Sequence, residues 1–179
     1  MHYDMDVIIR LTQEFARDHA EWAGPIVFAL AFAESLVLIS LLVPATIILI
    51  GIGALIGISQ LAFIPLWLAA TLGAALGDWL SFWLGQHYHE PISRMWPFAG
   101  RPDLLARGHR FFLKWGVYGV FFGRFFGPLR ASVPLAAGAC GMSATAFQWA
   151  NITSAALWAA SLLGPGALGL PTVINYLPH

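Results

Sequence analysis

Charge is what this chain has least of: only 10% of its residues are Asp, Glu, Lys or Arg, and nine basic residues balance nine acidic ones, so the formal net charge is zero. A neutral balance gives no electrostatic footprint for nucleic acid or for an acidic surface, and no nucleic-acid partner is expected. The single cysteine, Cys140, excludes an internal disulfide framework and lies among small residues, where close packing is its expected role. No histidine lies inside either long apolar block away from its ends, which disfavours a membrane-embedded hydrolase built on a histidine base or nucleophile; no enzyme activity is expected. His87 and His89 have the spacing of a metal pair, yet no acids or cysteines cluster with them, so they read as part of a solvated loop, with no metal and no cofactor. The N-terminus also lacks the basic stretch followed by an apolar core that marks a signal peptide, and reads as mature sequence.

What is present is hydrocarbon. Hydrophobic residues make up 59% of the chain, and the mean hydropathy is +0.73, far from soluble averages. The expected class is an all-α integral membrane protein, residues 1–179 forming a single membrane domain. Within residues 5–21, Val7, Ile8, Leu11 and Phe15, with Trp22 just beyond, recur at roughly helical spacing opposite charged positions, which predicts an amphipathic helix lying in the interface. From Trp22 to Gly85 the only charged residues are Glu34 and Asp78; from Trp115 to His179 they are Arg124 and Arg130. Between these blocks lie Arg94, Arg101, Arg107, Arg110 and Lys114 against Glu90 and Asp103. The excess of base predicts that the loop of residues 86–110 faces the cytoplasm.

The punctuation of each block suggests a hairpin followed by a span. Pro44 interrupts the first block, and Ala45 to Ile58 is short for a full crossing, which fits a helical hairpin over residues 22–58 that enters the membrane and returns. Residues 61–85 then form a span. Trp79, Phe82, Trp83 and Tyr88 near its end read as an interfacial aromatic belt, and Trp149 and Trp158 as either belt or core. The second block repeats the plan, with a hairpin over residues 111–141 broken by Gly127, Pro128, Pro134 and Gly138, a span over 143–163, and a Gly- and Pro-containing tail over 164–179 expected to pack as a short broken helix. Glu34 precedes Pro44 by ten residues and Arg124 precedes Pro134 by ten, and Phe32 matches Phe122. This is a weak inverted repeat of re-entrant hairpin plus transmembrane helix, of the kind that meets at a midplane site in transporters. Glycines four apart, Gly119 with Gly123 and Gly73 with Gly77, permit close helix contact and permit dimers without requiring them.

An ionisable side chain at the bilayer centre costs about 2.5–3.5 kcal/mol on insertion scales, so four of them need a reason. Both acids lie in the first half and both bases in the second, so neutralisation requires the halves to face each other; equivalent repeat positions suggest Glu34 with Arg124. Arg124 and Arg130 are six residues apart, about 240° around a continuous helix, but the Gly127–Pro128 break lets both converge on one cavity. The planar guanidinium fork suits a phosphate oxyanion. Arg124 and Arg130 are therefore the candidate substrate-binding residues, and Glu34 and Asp78 the candidate counter-ions or proton carriers. The competing reading is that two buried ion pairs merely orient the hairpins, although such pairs add little net stability over apolar replacements.

The segments AESLVLISLLVPAT, GDWLSFWLG, GRFFGPLRASVPLAAGACGM and FQWANITSAALW, spread over about residues 30–160, resemble the DedA family, also called the VTT or SNARE-associated domain. That resemblance implies two re-entrant hairpins facing one another and translocation of membrane lipid, of undecaprenyl phosphate in bacterial members and of phospholipid in scramblase relatives. It also implies that Glu34 is the family's first membrane acid, that Arg124 and Arg130 are its two essential arginines, and that Asp78 belongs to its glycine-aspartate motif. The chain departs from the pattern at Pro44-Ala45-Thr46, where many members have a second carboxylate; Thr46 cannot carry a proton, which sets proton-driven transport in question unless Asp78 substitutes. Gly127 before Pro128 reverses a common order, with an expected effect on hairpin shape rather than charge. The expected function is a flippase for an anionic, phosphate-bearing polyprenyl lipid in the bilayer. Its rivals are an equilibrating phospholipid scramblase, to which Thr46 leans, and a proton or small-ion antiporter.

Overall fold

The computed structural model describes residues 20–36, 45–59, 61–88, 102–126 and 129–176. Among them the only regular structure is helix, with no strand: α1 (Ala20–Ser35), α2 (Ala45–Ser59), α3 (Phe63–His87), α4 (Pro102–Gly123), α5 (Leu129–Ala139) and α6 (Ala144–Tyr176). In hydrocarbon a helix satisfies its own backbone hydrogen bonds, which is why so apolar a chain takes this form. α3, with 25 residues, is long and apolar enough to cross a bilayer, about 37 Å at the helical rise. α2 has 15 residues, about 22 Å and so shorter than the hydrocarbon core. Pro65 falls in the first turn of α3, where its missing N–H costs nothing.

The expected interfacial helix over residues 5–21 lies outside the described residues except for its last two, which open α1, and Pro44, Gly127 and Pro128 lie outside them too. Three readings of the punctuation need correction. Pro134 and Gly138 do not break a helix; both sit inside α5, where Pro134 is fully buried. The run Gly164-Pro165-Gly166 does not end the second span, because α6 continues through it to Tyr176. The reason is packing: α6 lies along α2 there, and Gly166 abuts the backbone of Gly53 so closely that no side chain fits. Third, helix begins at Pro102, inside the stretch read as loop. α4 is itself two helical pieces joined at Gly116, whose φ of 43° needs a glycine.

α3 is the central helix, packing against α1, α5 and α6, while α2 lies along α6 and α4 rests on α5 and α6. Small residues let these backbones approach. A Cβ at Gly73 would strike the Phe28 carbonyl of α1, and α3 and α5 interlock reciprocally, Gly85 against the Leu135 carbonyl and Gly138 against the Phe82 carbonyl. Two apolar clusters result. The first gathers Ala31, Leu49, Leu66, Ala74, Ala155 and Trp158; the second gathers Phe82, Val120, Ala137, Phe147 and Ala150, with Phe82 stacked on Phe147 at 4.1 Å. Phe82 is thus core and not part of an interfacial belt; Trp158 is core as well, whereas Trp79, Trp83, Tyr88 and Trp149 are exposed.

The order of these contacts positions the site. Along α3, Ala74 belongs to the first cluster and Phe82 to the second; along α6, Ala150 belongs to the second and Ala155 to the first. The two helices therefore run antiparallel, and what lies between the clusters on each, Asp78 on α3 and Asn151 with Ser154 on α6, forms a polar layer enclosed by hydrocarbon.

Candidate functional site

Four elements bring the charged residues into that layer. Glu34 is the penultimate residue of α1 and Asp78 lies in the middle of α3. Arg124 follows the last residue of α4 in a turn closed by Phe125 N–H donating to Phe122 and Phe126 N–H to Gly123, which leaves both phenylalanines exposed and turns the arginine inward. Arg130 is the second residue of α5. All four are removed from solvent: Glu34 is 5% exposed and Asp78 and Arg124 6%, and the Arg130 side chain is 15% exposed.

The pairing differs from the repeat-based expectation. Arg124 donates to Asp78, not to Glu34, and Arg130 donates to Glu34 Oε1 at 2.9 Å. Packing decides this. α4 rests on α5 and α6, so Arg124 at its end meets Asn151 of α6 and Asp78 of α3, whereas α5 reaches α1 and delivers Arg130 to the end of that helix. Arg130 also donates to the backbone carbonyl of Glu34 at 3.3 Å. It thereby places positive charge on the carbonyl end of α1, where a carboxylate alone would be opposed by the helix dipole. Arg130 is close enough to Asp78 and Arg124 to act on both electrostatically, so the two pairs form one cluster.

Uncharged residues complete it, and the sequence pattern alone does not single them out. Asn151, with no exposure, accepts a hydrogen bond from Arg124 at 2.7 Å and donates from Nδ2 to the Ala75 carbonyl at 2.8 Å. Ser35, also buried, accepts at its backbone carbonyl from the Ser81 hydroxyl of α3 at 3.5 Å, which ties the end of α1 to the helix that carries Asp78. Trp158 presents its ring face to the Arg130 guanidinium at 4.8 Å. A signal for Asn151 does exist: an amide within a membrane-length apolar run needs a partner much as a charge does. Thr46, marked by the sequence only as a departure from a family pattern, donates its hydroxyl to Glu34 Oε1. Glu34 Oε2 is then buried with no hydrogen-bond partner among the described residues. His87 is exposed at the end of α3, its ring 4.4 Å from that of Trp83, and the described residues hold no metal-ligating cluster.

Chemically this is a neutral cluster, two guanidiniums with two carboxylates, whose cations come from one half of the chain and whose anions come from the other. A helical bundle that buries its ion pairs between its halves while large apolar side chains such as Ile47, Leu72, Trp79 and Trp149 lie exposed on its outside fits an integral membrane protein.

The chain belongs to the VTT-domain family, the DedA proteins, whose pattern it matches over residues 43–168. It is 35% identical to Inner membrane protein YabI of Escherichia coli (strain K12) over 88% of this chain and 62% of that protein. Inner membrane protein YqjA of the same strain is 27% identical over 86% of this chain and 74% of its own length. A membrane protein of Buchnera aphidicola subsp. Acyrthosiphon pisum (strain APS) is 30% identical over 79% of this chain and 55% of its own. The chain thus spans less than two thirds of the length of YabI and of the Buchnera protein. No solved structure matches it. Membership and these relatives place the protein in the plasma (inner) membrane.

Proposed function

We propose that the protein moves an anionic, phosphate-bearing lipid, undecaprenyl phosphate or a similar polyprenyl phosphate, between bilayer leaflets, with Arg124 and Arg130 gripping the phosphate and Glu34 and Asp78 alternating as counter-ions or proton carriers. The observation that carries this reading is that both arginines are largely withdrawn from solvent and each is paired with a buried carboxylate from the opposite half of the chain. Buried ion pairs add little stability over apolar side chains of similar volume, so their place here is better explained by exchange than by structure. A phosphate that takes both guanidiniums displaces both carboxylates. A buried carboxylate left without a partner is costly, so release of the phosphate favours re-pairing. The polyprenyl tail stays in lipid throughout, because the exposed flanks of the helices are apolar.

The architecture that goes with this function is the inverted repeat: hairpins over residues 22–58 and 111–141 that enter from opposite faces, each followed by a span, with the cluster at their meeting point. The protein is a transporter and not an enzyme. The test is reconstitution in liposomes carrying a polyprenyl phosphate in one leaflet. Arg124→Ala plus Arg130→Ala abolishes translocation, and unchanged flux in that double variant defeats the site.

One observation favours a second reading, an equilibrating phospholipid scramblase. Thr46 supplies Glu34 with a hydroxyl where many relatives have an acid, leaving fewer groups to couple flux to protons. Flux indifferent to a pH gradient and to headgroup selects the scramblase; flux that follows both selects the flippase.

A further inference from the structure

The two arginines are held in the same manner. Each takes one carboxylate from the N-terminal half and one uncharged partner from α6: Arg124 has Asp78 and Asn151, Arg130 has Glu34 and Trp158. Asn151 and Trp158 are seven residues apart on α6, about two turns, so they project from one face of the helix. Both are buried.

The orientation of the Asn151 amide is dictated by its surroundings. The Ala75 carbonyl at 2.8 Å and Gln148 Oε1 at 3.2 Å both require a donor, and only Nδ2 has hydrogens to give. Oδ1 is therefore left as a fixed acceptor facing Arg124. The Trp158 ring is likewise confined, packed in the first apolar cluster with its face toward the Arg130 guanidinium. An amide oxygen and an aromatic face attract a cation while carrying no net charge and no exchangeable proton. They do not compete with an incoming anion, as a carboxylate does.

We propose that Asn151 and Trp158 are positioning residues, a pair of uncharged holders on one face of α6 that keep both guanidiniums in place while the carboxylates are exchanged for the ligand's oxyanion. A guanidinium held by a carboxylate alone follows that carboxylate when it moves or is neutralised. With a holder on α6 it stays in the polar layer and presents its free edge to the phosphate. That role rests on the lipid-phosphate reading for what the arginines bind, but the contacts themselves do not, and the two are separable by experiment.

The experiment moves the charge across Arg124. Full-length Asn151→Asp, Asp78→Asn and the combined variant are purified in detergent, and unfolding midpoints and affinity for farnesyl phosphate are measured. Asn151→Asp encloses Arg124 between two carboxylates and weakens farnesyl phosphate binding about tenfold or more, the scale of one charge-assisted contact. Asp78→Asn removes the charged partner of Arg124 and lowers the unfolding midpoint. The combined variant restores both quantities toward wild type, because the single carboxylate has only changed sides. A combined variant no better than the sum of its parts in unfolding midpoint overturns the proposal. If Asn151 variants do not fold, Trp158 decides: Trp158→Phe retains a ring face and binds as wild type while Trp158→Leu binds several-fold more weakly, and equal affinities overturn the holder role. If wild type itself does not bind farnesyl phosphate, the lipid-phosphate reading fails, and recovery of the unfolding midpoint in the combined variant still supports the holders.

Discussion

Replacing Arg124 by Met leaves the Asp78 carboxylate in a layer where it is 6% exposed, without its direct partner and with only the more distant charge of Arg130, itself paired to Glu34, to offset it. Breaking a buried pair by removing one partner costs about 3–5 kcal/mol, most of it the uncompensated charge. For a chain of 179 residues that corresponds to roughly 6–20 °C in unfolding midpoint, at about 2–4 °C per kcal/mol. Adding Asp78→Leu removes the orphaned charge. What remains is the unpaired Asn151 oxygen, 2.7 Å from the lost guanidinium, a deficit of about 1–3 kcal/mol. The double variant is therefore expected to be less stable than wild type but to recover about half or more of the loss in Arg124→Met, although neither moves lipid. Thermal unfolding of detergent-solubilised protein, followed by the loss of monodisperse protein, reads both steps. A double variant no more stable than Arg124→Met shows that Asp78 is not the partner whose charge was stranded, and the proposed pairing falls with it.

Other consequences are tested more simply. Glu34→Gln keeps an oxygen for Arg130 and Thr46 but removes the proton site, so liposome flux loses its response to a pH gradient; an undiminished response excludes Glu34 as the proton carrier. Gly85→Val and Gly138→Val drive side chains into the Leu135 and Phe82 carbonyls and each destabilise by about 1–3 kcal/mol, whereas Gly24→Ala, with open space around it, is neutral or stabilising; comparable midpoints for all three contradict the close α3–α5 contact. Phe147→Ala, which strips a fully buried ring from its stack on Phe82, costs about 3–5 kcal/mol, while Trp149→Ala at 70% exposure costs little; the same unfolding measurement distinguishes them.

The charged residues are legible in the amino-acid sequence because hydrocarbon makes them conspicuous: four ionisable groups in two otherwise apolar blocks cannot be incidental, and their separation by sign into opposite halves requires those halves to meet. The site's neutral members are harder to find. Asn151 and Trp158 resemble the polar and aromatic residues scattered through any membrane helix until Arg124 and Arg130 are seen against them. Proline and glycine mislead for a related reason. Pro134, Gly138 and Gly164 to Gly166 look like breaks by local chemistry, but helices pressed together at glycine contacts retain their form through such residues, since in an apolar surround an unpaired backbone costs more than an awkward ring.

Membrane class, helical content and the identity of the four charges follow from composition and placement alone, because the solvent imposes them on any chain so apolar. Which acid meets which arginine is set by the packing of helices distant in sequence: α5 against α1, and α4 against α6 beside α3. No repeat spacing encodes that choice. It exists only once the backbones have been brought into contact, when a guanidinium takes the carboxylate that its own helix has carried within reach.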